Sequence, residues 1–264
     1  MSLRPRPRRD RVAILSLGLT AAVIGVAQWA DGGRWYALVQ PTAALVVFGG
    51  TAAALMLSFP WSRLVRTGAA LSKVFRVMPD AQSALITRFE HYAARVVRRG
   101  PASLESDLAA ADDPFLARAL GLVVDGQPVE EIRQALTTFS HAREDADEEC
   151  ALVLETAAGY APTLGILGAV LGLIRVMENL ATPAGVGGGI AVAFVATVYG
   201  VGSANLVLLP LASRLRVMSR TAALHRELII EGAVVLRRAA HPRMVEEYLA
   251  GFLRSRHEPS RGAA

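Results

Sequence analysis

Long stretches of this 264-residue chain carry no charged residue: 19 positions from Val12 to Ala30, 28 from Trp35 to Ser62, 19 from Thr156 to Ile174 and 35 from Asn179 to Ser213. Only 19% of the chain is charged while 53% is hydrophobic, and its mean hydropathy of +0.37 is too high for an ordinary soluble domain of this size. Cysteine is nearly absent. The one thiol, Cys150, excludes an internal disulfide framework and a cysteine-built zinc site. No HExxH, GxSxG or Walker A motif occurs, and Gly185 to Gly189 lack the following Lys-Ser/Thr of a phosphate loop. His91, His141, His225, His241 and His257 are scattered without ligand spacing, so neither a metal centre nor a catalytic site is expected.

The uncharged runs are each long enough to cross a bilayer, because a hydrocarbon core of about 30 Å takes roughly 20 helical residues. Net charge, +5 overall, divides unevenly: residues 1–11 give +4, residues 63–155 give −4 and residues 214–264 give +5. The basic excess therefore borders the apolar runs, which points to lipid headgroups and topology and not to nucleic acid. Arg4, Arg6, Arg8, Arg9 and Arg11 precede the first run, Arg63, Arg66, Lys73 and Arg76 follow the second, and Arg214, Arg216 and Arg220 follow the fourth. The positive-inside rule then places both termini and the middle segment in the cytoplasm. A rival reading makes the first 27 or so residues a cleaved signal peptide ending near Gly25-Val26-Ala27. Against it, the apolar run exceeds the roughly 7–15 residues of a signal core, and Trp29, Trp35 and Tyr36 resemble an interfacial aromatic belt.

The expected fold is all-α: a polytopic membrane protein with four transmembrane helices and a helical cytoplasmic domain. The expected segments are a basic N-terminus over 1–11, spans over 12–30, 36–59, 156–177 and 188–212, a cytoplasmic helical domain over 60–155, and C-terminal helices and tail over 213–264. Asp113-Pro114 reads as an N-cap with proline in the first turn, and Gly126-Gln127-Pro128 followed by Glu130 and Glu131 starts another helix. With no proline between Pro128 and Pro162, one helix is expected to run from the cytoplasm into the third span. A helix over Ile190 to Ala240 is expected to carry the fourth span back out. Gly185 to Gly189 read as a flexible periplasmic turn.

Within the third run Gly165, Gly168 and Gly172 recur at helical spacing, and Ala193, Thr197, Gly200 and Ala204 form a narrow stripe on the fourth. Small residues let helix backbones approach closely, so the stripes are expected to pack against each other or against partner helices. Pro162 and Pro210 are expected at one membrane depth, as a matched pair of bends. None of the four runs contains Asp, Glu, Lys, Arg or His, although an ion path normally marks itself with an ionisable group. The chain by itself therefore has no proton carrier. Its span hydroxyls and amide, on Thr156, Thr163, Thr197, Tyr199, Ser203 and Asn205, are of the kind that bond backbone or a neighbouring helix. Arg95, Arg98, Arg99 and Glu105 crowd the stretch around Gly100 and Pro101, which read without context is a solvated helix end.

The stretch TAAGYAPTLGILGAVLGLIRVMENLATPAGVGGGIAVAFVATVYGVGSANLVLLPLA, residues 156–212, resembles the MotA/TolQ/ExbB channel family. The run DDPFLARALGLVVDGQPVEEIRQAL, Asp112 to Leu136, is similar to the flagellar stator branch of that family and not to TolQ or ExbB. The resemblance covers nearly the whole chain. It implies a pentamer of this chain around two copies of a single-span MotB-like partner whose aspartate carries the ion, driving rotation against the rotor protein FliG in the inner membrane. It also implies that Pro162 and Pro210 lie near the ion site and that Thr197 lines the pathway. Glu105 matches the acidic residue of a rotor-facing patch, whose basic side falls among Arg95, Arg98 and Arg99 because Val97 stands where the family carries arginine. Sodium-driven relatives place a threonine where this chain has Ala169, so a proton is the expected ion and no cofactor is implied. A TolQ- or ExbB-like energiser, with three spans and an external N-terminus, is the alternative.

Overall fold

The computed structural model describes residues 38–77, 81–111, 113–178, 183–238 and 241–257, together with scattered positions between 8 and 30. Most of the expected first span and of the basic N-terminus lies outside these residues, as do Asp112 and 179–182. Among the described residues the regular elements are helices, apart from one antiparallel pair of two-residue strands, β1 (Arg8–Arg9) with β2 (Arg76–Val77). In order the helices are α1 (Pro41–Ser58), α2 (Trp61–Val74), α3 (Ala81–Arg99), α4 (Glu105–Ala110), α5 (Pro114–Val124) and α6 (Val129–Glu178). Then come α7 (Pro183–Ser203), α8 (Leu209–Arg237) and α9 (Pro242–His257). A π turn over Ala204–Leu208 joins α7 to α8 without a break. Among the described residues three helices are long and apolar enough to cross a membrane: Pro41–Ser58, Val129–Glu178 and Val186–Arg237.

Two compact units share the long helices. One contains Met78–Ala146 and Ser219–Ala264, the other Arg6–Val77 and Asp147–Met218. The segment 60–155, expected as a single cytoplasmic domain, is therefore divided. Its first helix, α2, and the stretch after Asp147 belong to the span-bearing unit, because Val74 packs with Cys150, Ala151, Leu154, Ala212 and Leu215 in one apolar cluster.

In the other unit local sequence sets the helix ends. The Asp113 side chain accepts the Phe115 amide and Pro114 opens α5, so the expected cap forms. The same helix closes at Gly126, whose φ of 73° needs no Cβ, with Gly126 N–H donating to Val123 O and Gln127 N–H to Leu122 O. α6 begins at Val129, one residue after Pro128, and runs 50 residues, about 75 Å at 1.5 Å per residue. Leu85, Phe89, Tyr92 and Val96 recur every three or four residues on α3 and are buried with Leu120, Leu136 and Leu249. Gly232 of α8 meets the Phe89 ring so closely that an added methyl would lie 2.5 Å from Phe89 Cζ.

Candidate functional site

The span-bearing unit is organised by a seam between α6 and α7. A methyl group added at Gly172 would lie 2.8 Å from both Ala193 N and Gly189 O. At Gly168 it would lie 2.8 Å from Ala196 Cβ, at Gly165 2.9 Å from Ala196 O and at Gly200 2.5 Å from Ala161 O. Every one of these distances is too short for a carbon–oxygen or carbon–carbon contact, so the backbones themselves touch. Numbers rise along one helix as they fall along the other, which makes the pair antiparallel. Farther along, Ala158 and Ala161 bury against Ala204, and Cys150 and Ala151 against Ala212.

Gly165, Gly168, Gly172, Ala193, Gly200 and Ala204 thus come together, each stripe facing the other. Two members of the seam escaped the sequence reading. Ala196 faces α6 directly, whereas Thr197 flanks the contact; Gly189 completes the stripe four residues before Ala193. The glycine-rich stretch Gly185 to Gly189, read as a flexible turn, is instead helical within α7. Pro183 opens that helix with its fixed φ, and the close approach of Gly189 to the Gly172 carbonyl holds a sequence of poor helix propensity in place.

The register also separates the two prolines. Pro162 lies level with Gly200, its Cα 3.1 Å from where a Gly200 Cβ would be. Pro210, ten residues beyond Gly200, is level with the stretch near Leu152, roughly 15 Å from Pro162 along the seam. The two prolines therefore stand at separate levels of the seam and not as a matched pair at one level. Pro162 denies the Ala158 carbonyl its helical donor, and the π turn over Ala204–Leu208 widens the helix just ahead of the Pro210 ring.

Polar groups on the spans mostly turn inward on their own helices. Thr197 Oγ1 donates to Ala193 O at 3.3 Å, Thr163 to Tyr160 O, Thr156 to Leu152 O, Ser203 to Gly200 O and Asn205 Nδ2 to Val201 O. Two tyrosines reach another helix instead: the Tyr199 hydroxyl donates to Leu38 O and accepts the Gln40 amide at the start of α1, and the Tyr160 and Ser58 hydroxyls share a hydrogen bond of 2.9 Å between α6 and α1. Thr197, Ala169 and Pro162 are half-buried and Pro210 is exposed. The seam therefore carries hydroxyl oxygens but no ionisable group. Among the described residues no three His, Cys, Asp or Glu side chains converge as metal ligands.

The charged stretch around Gly100 lies in the other unit. α3 ends at Gly100, whose φ is 75°, and Arg98 and Arg99 in its last turn suit the negative end of the helix dipole. Arg98, Arg99 and Glu105 are exposed. Arg95 differs from them, pairing with Asp107 of α4 and lying 5.5 Å over the Tyr92 ring. The sequence reading did not find Asp107, whose partner is twelve residues away on another helix.

Other charges in this unit join α6, α8 and α9. Glu231, mostly buried, pairs with Arg133 and accepts from Tyr248. Burial pushes the Glu231 carboxyl up, but hydrogen bonding and charge from Arg133, with Tyr248 and Arg238, bring it net below its ordinary 4.5. Asp113 behaves alike: burial raises it, and bonds from His225 and the Phe115 amide, with the charges of His225 and Arg143, hold it below its ordinary 3.8. Arg226 is buried, donating through Nε to Ser140 Oγ with Glu144 3.7 Å away. Such pairs join helices far apart in sequence and leave no spacing signal.

Apolar helices long enough to cross a membrane, packed against each other through small residues, define a polytopic membrane protein. Known proteins agree. The model of the MotA/TolQ/ExbB proton channel family matches residues 107–227. Motility protein A of Bacillus subtilis is 31% identical over 245 residues, 92% of this chain and 91% of the relative. The fold matches the C. jejuni MotAB structure with a TM-score of 0.86 and 27% identity, covering 96% of this chain and 99% of that one. It matches the flagellar MotAB stator complex of Bacillus subtilis with the same TM-score and 30% identity, covering 94% and 98%. The chain belongs to the MotA/TolQ/ExbB proton channel family, in its motility protein A group.

Proposed function

We propose that this chain is the ring-forming subunit of a flagellar stator, working in the inner membrane with both termini in the cytoplasm. The observation that carries the reading is the match over almost the full chain to the MotAB stator structures, alongside spans without an ionisable group. Several copies, five by family resemblance, surround two copies of a single-span MotB-like partner, and the partner supplies the carboxylate that the seam lacks. An ion passing that carboxylate releases about 2.3 kcal/mol per charge per 100 mV. The seam then acts as a stiff wall along which the partner's acid is presented, with Thr197 as a nearby oxygen and Pro162 and Pro210 as bends in that wall. Ala169 has no oxygen to replace the hydration of sodium, which favours a proton. Arg98, Arg99 and Glu105 are free to meet complementary charges on FliG, whereas Arg95 is engaged with Asp107 and shapes the tip.

Deletion of this chain from its host tests the proposal. Flagella are expected to assemble but not turn, and the wild-type chain is expected to restore rotation in proportion to proton-motive force at any sodium concentration. Normal swimming without the chain, with no second stator present, overturns the reading.

A further inference from the structure

Glu155 is the residue immediately before the charge-free run that opens at Thr156, and Arg216 follows the run that closes at Ser213. The fold brings the two together. Leu154 of α6 and Leu215 of α8 are buried in one apolar cluster, and the residues after them pair beside it: Arg216 Nη1 with Glu155 Oε1, and Arg216 Nη2 donating to Glu155 Oε2 at 2.7 Å. A two-pronged contact of this kind fixes the plane of the carboxylate as well as its position. The pair is not sealed from water, since the Glu155 side chain keeps 26% of its exposure and that of Arg216 49%. Neighbouring charges are engaged elsewhere: Glu149 of α6 with Arg63 of α2 at 3.0 Å, and Arg214 of α8 donating through Nε to Val74 O.

Helix periodicity sets which way Glu155 faces. Glu155, Pro162 and Ala169 follow one another at intervals of seven residues, and a heptad drifts only about 20° around an α-helix, so the three share one stripe of α6. That stripe runs beside the seam: Pro162 follows Ala161 and Ala169 follows Gly168, each about 100° further round the helix. Across the seam Thr197 is level with Gly165, its Cα 3.5 Å from where a Gly165 Cβ would be. A proton released beside Pro162 therefore has a carboxylate about 10 Å farther along the same face. Fastening α6 to α8 accounts for an ion pair here, but a pair on another facing stripe would fasten them equally well.

From this arrangement we infer that Glu155 is the exit carboxylate of the ion path, receiving the proton after it has crossed on the partner's acid, with Arg216 as the positioning residue that holds and resets it. The inference rests on the reading of Pro162 and Ala169 as path-facing residues. The partner's carboxylic acid gives its proton to water and is left as a carboxylate; that water passes the proton to Glu155, and neutral Glu155 loosens from Arg216. Cytoplasmic water then takes the proton. The charged carboxylate re-forms its paired bonds with Arg216, so the proton is handed on and not kept. The crossing itself stays with the partner, because Glu155 lies outside the charge-free run.

The test is proton flux through the full-length chain assembled with its MotB-like partner in proteoliposomes under an imposed potential, with assembly read by size-exclusion chromatography. Glu155→Gln is expected to assemble and to lower the flux at least about tenfold, Glu155→Asp to recover most of it, and Arg216→Gln to lower it only about threefold. Exchange of the two residues, Glu155→Arg with Arg216→Glu, rebuilds the ion pair but puts the cation on the path-facing stripe. Its flux is expected to stay at the level of Glu155→Gln. Unchanged flux in Glu155→Gln, equal losses in Glu155→Gln and Arg216→Gln, or full flux in the exchanged pair overturns the proposal. Should Glu155→Gln fail to assemble, the exchanged pair decides: assembly with low flux supports the exit carboxylate, and restored flux overturns it. A wild-type complex that passes no protons overturns the stator reading as well, whereas a conducting wild type indifferent to Glu155 overturns the exit carboxylate alone.

Discussion

A methyl group at Gly200 should damage the seam, while one at Gly202 should not. The added carbon at Gly200 would lie 2.5 Å from Ala161 O, 3.0 Å from Gly165 Cα and 3.1 Å from Pro162 Cα. All three are backbone atoms, so no side chain can rotate out of the way. Restoring ordinary van der Waals distance needs the helices to part by about 0.9 Å, which loosens the contacts at Gly165 and Gly168 as well. Overpacking of this kind costs about 1–3 kcal/mol. Gly202 lies on the same helix with open space around it, nothing within 4 Å of an added methyl. There, replacing glycine by alanine in a helix contributes up to about 1 kcal/mol of stability. Thermal unfolding of the detergent-solubilised chain should therefore rank Gly202→Ala at or above wild type and Gly200→Ala below it. A gap of about 2–4 °C is expected for each kcal/mol. Equal melting of the two variants would refute the direct backbone contact between α6 and α7.

Glu231→Gln should destabilise the chain at neutral pH by about 1–3 kcal/mol, less than the 3–5 kcal/mol of a fully buried pair, because the Arg133 side chain keeps 40% of its exposure. Unfolding curves at several pH values should show a second consequence. Asp113 and Glu231 both titrate below their ordinary values in the folded chain, so their stabilisation is complete above about pH 4.5 and fades as pH falls through the lowered values. Glu231→Gln should flatten that acid limb, and an unchanged limb would count against the pair. Gly232→Ala, with its methyl 2.5 Å from the Phe89 ring, should lower the melting temperature, and Phe89→Leu in the same chain should recover part of the loss. At the tip, Arg98→Glu with Arg99→Glu should leave membrane insertion and ring assembly intact but cut torque, with a compensating charge reversal on FliG restoring part of it. Normal torque in tethered-cell rotation, or loss of the ring, would remove these arginines from the rotor contact.

Helices, caps and the two small-residue stripes were legible in the sequence because each is written at fixed spacing. Asp113-Pro114 caps α5 through its own side chain, and Gly165, Gly168 and Gly172 share one helical face whatever they touch. What the stripes touch is a tertiary fact, and so Ala196 and Gly189 emerged only from the antiparallel register. The same register, not visible from residue type, set Pro162 and Pro210 about 15 Å apart. Gly185 to Gly189 read as a turn because glycine disfavours helices in isolation, whereas close packing on Gly172 reverses that preference. Arg95 illustrates the limit for charges: it stands beside Arg98 and Arg99 in sequence, but its partner Asp107 lies twelve residues away on α4, where no spacing points to it.

Ion flux in proteoliposomes tests the central claim most directly: the chain builds the wall of an ion path but does not carry the ion. Purified chain alone should be silent under an imposed proton gradient. Chain assembled with its MotB-like partner should conduct protons, and replacing the partner's intramembrane carboxylate by its amide should return the flux to background. Proton flux through the chain without any partner would contradict the account.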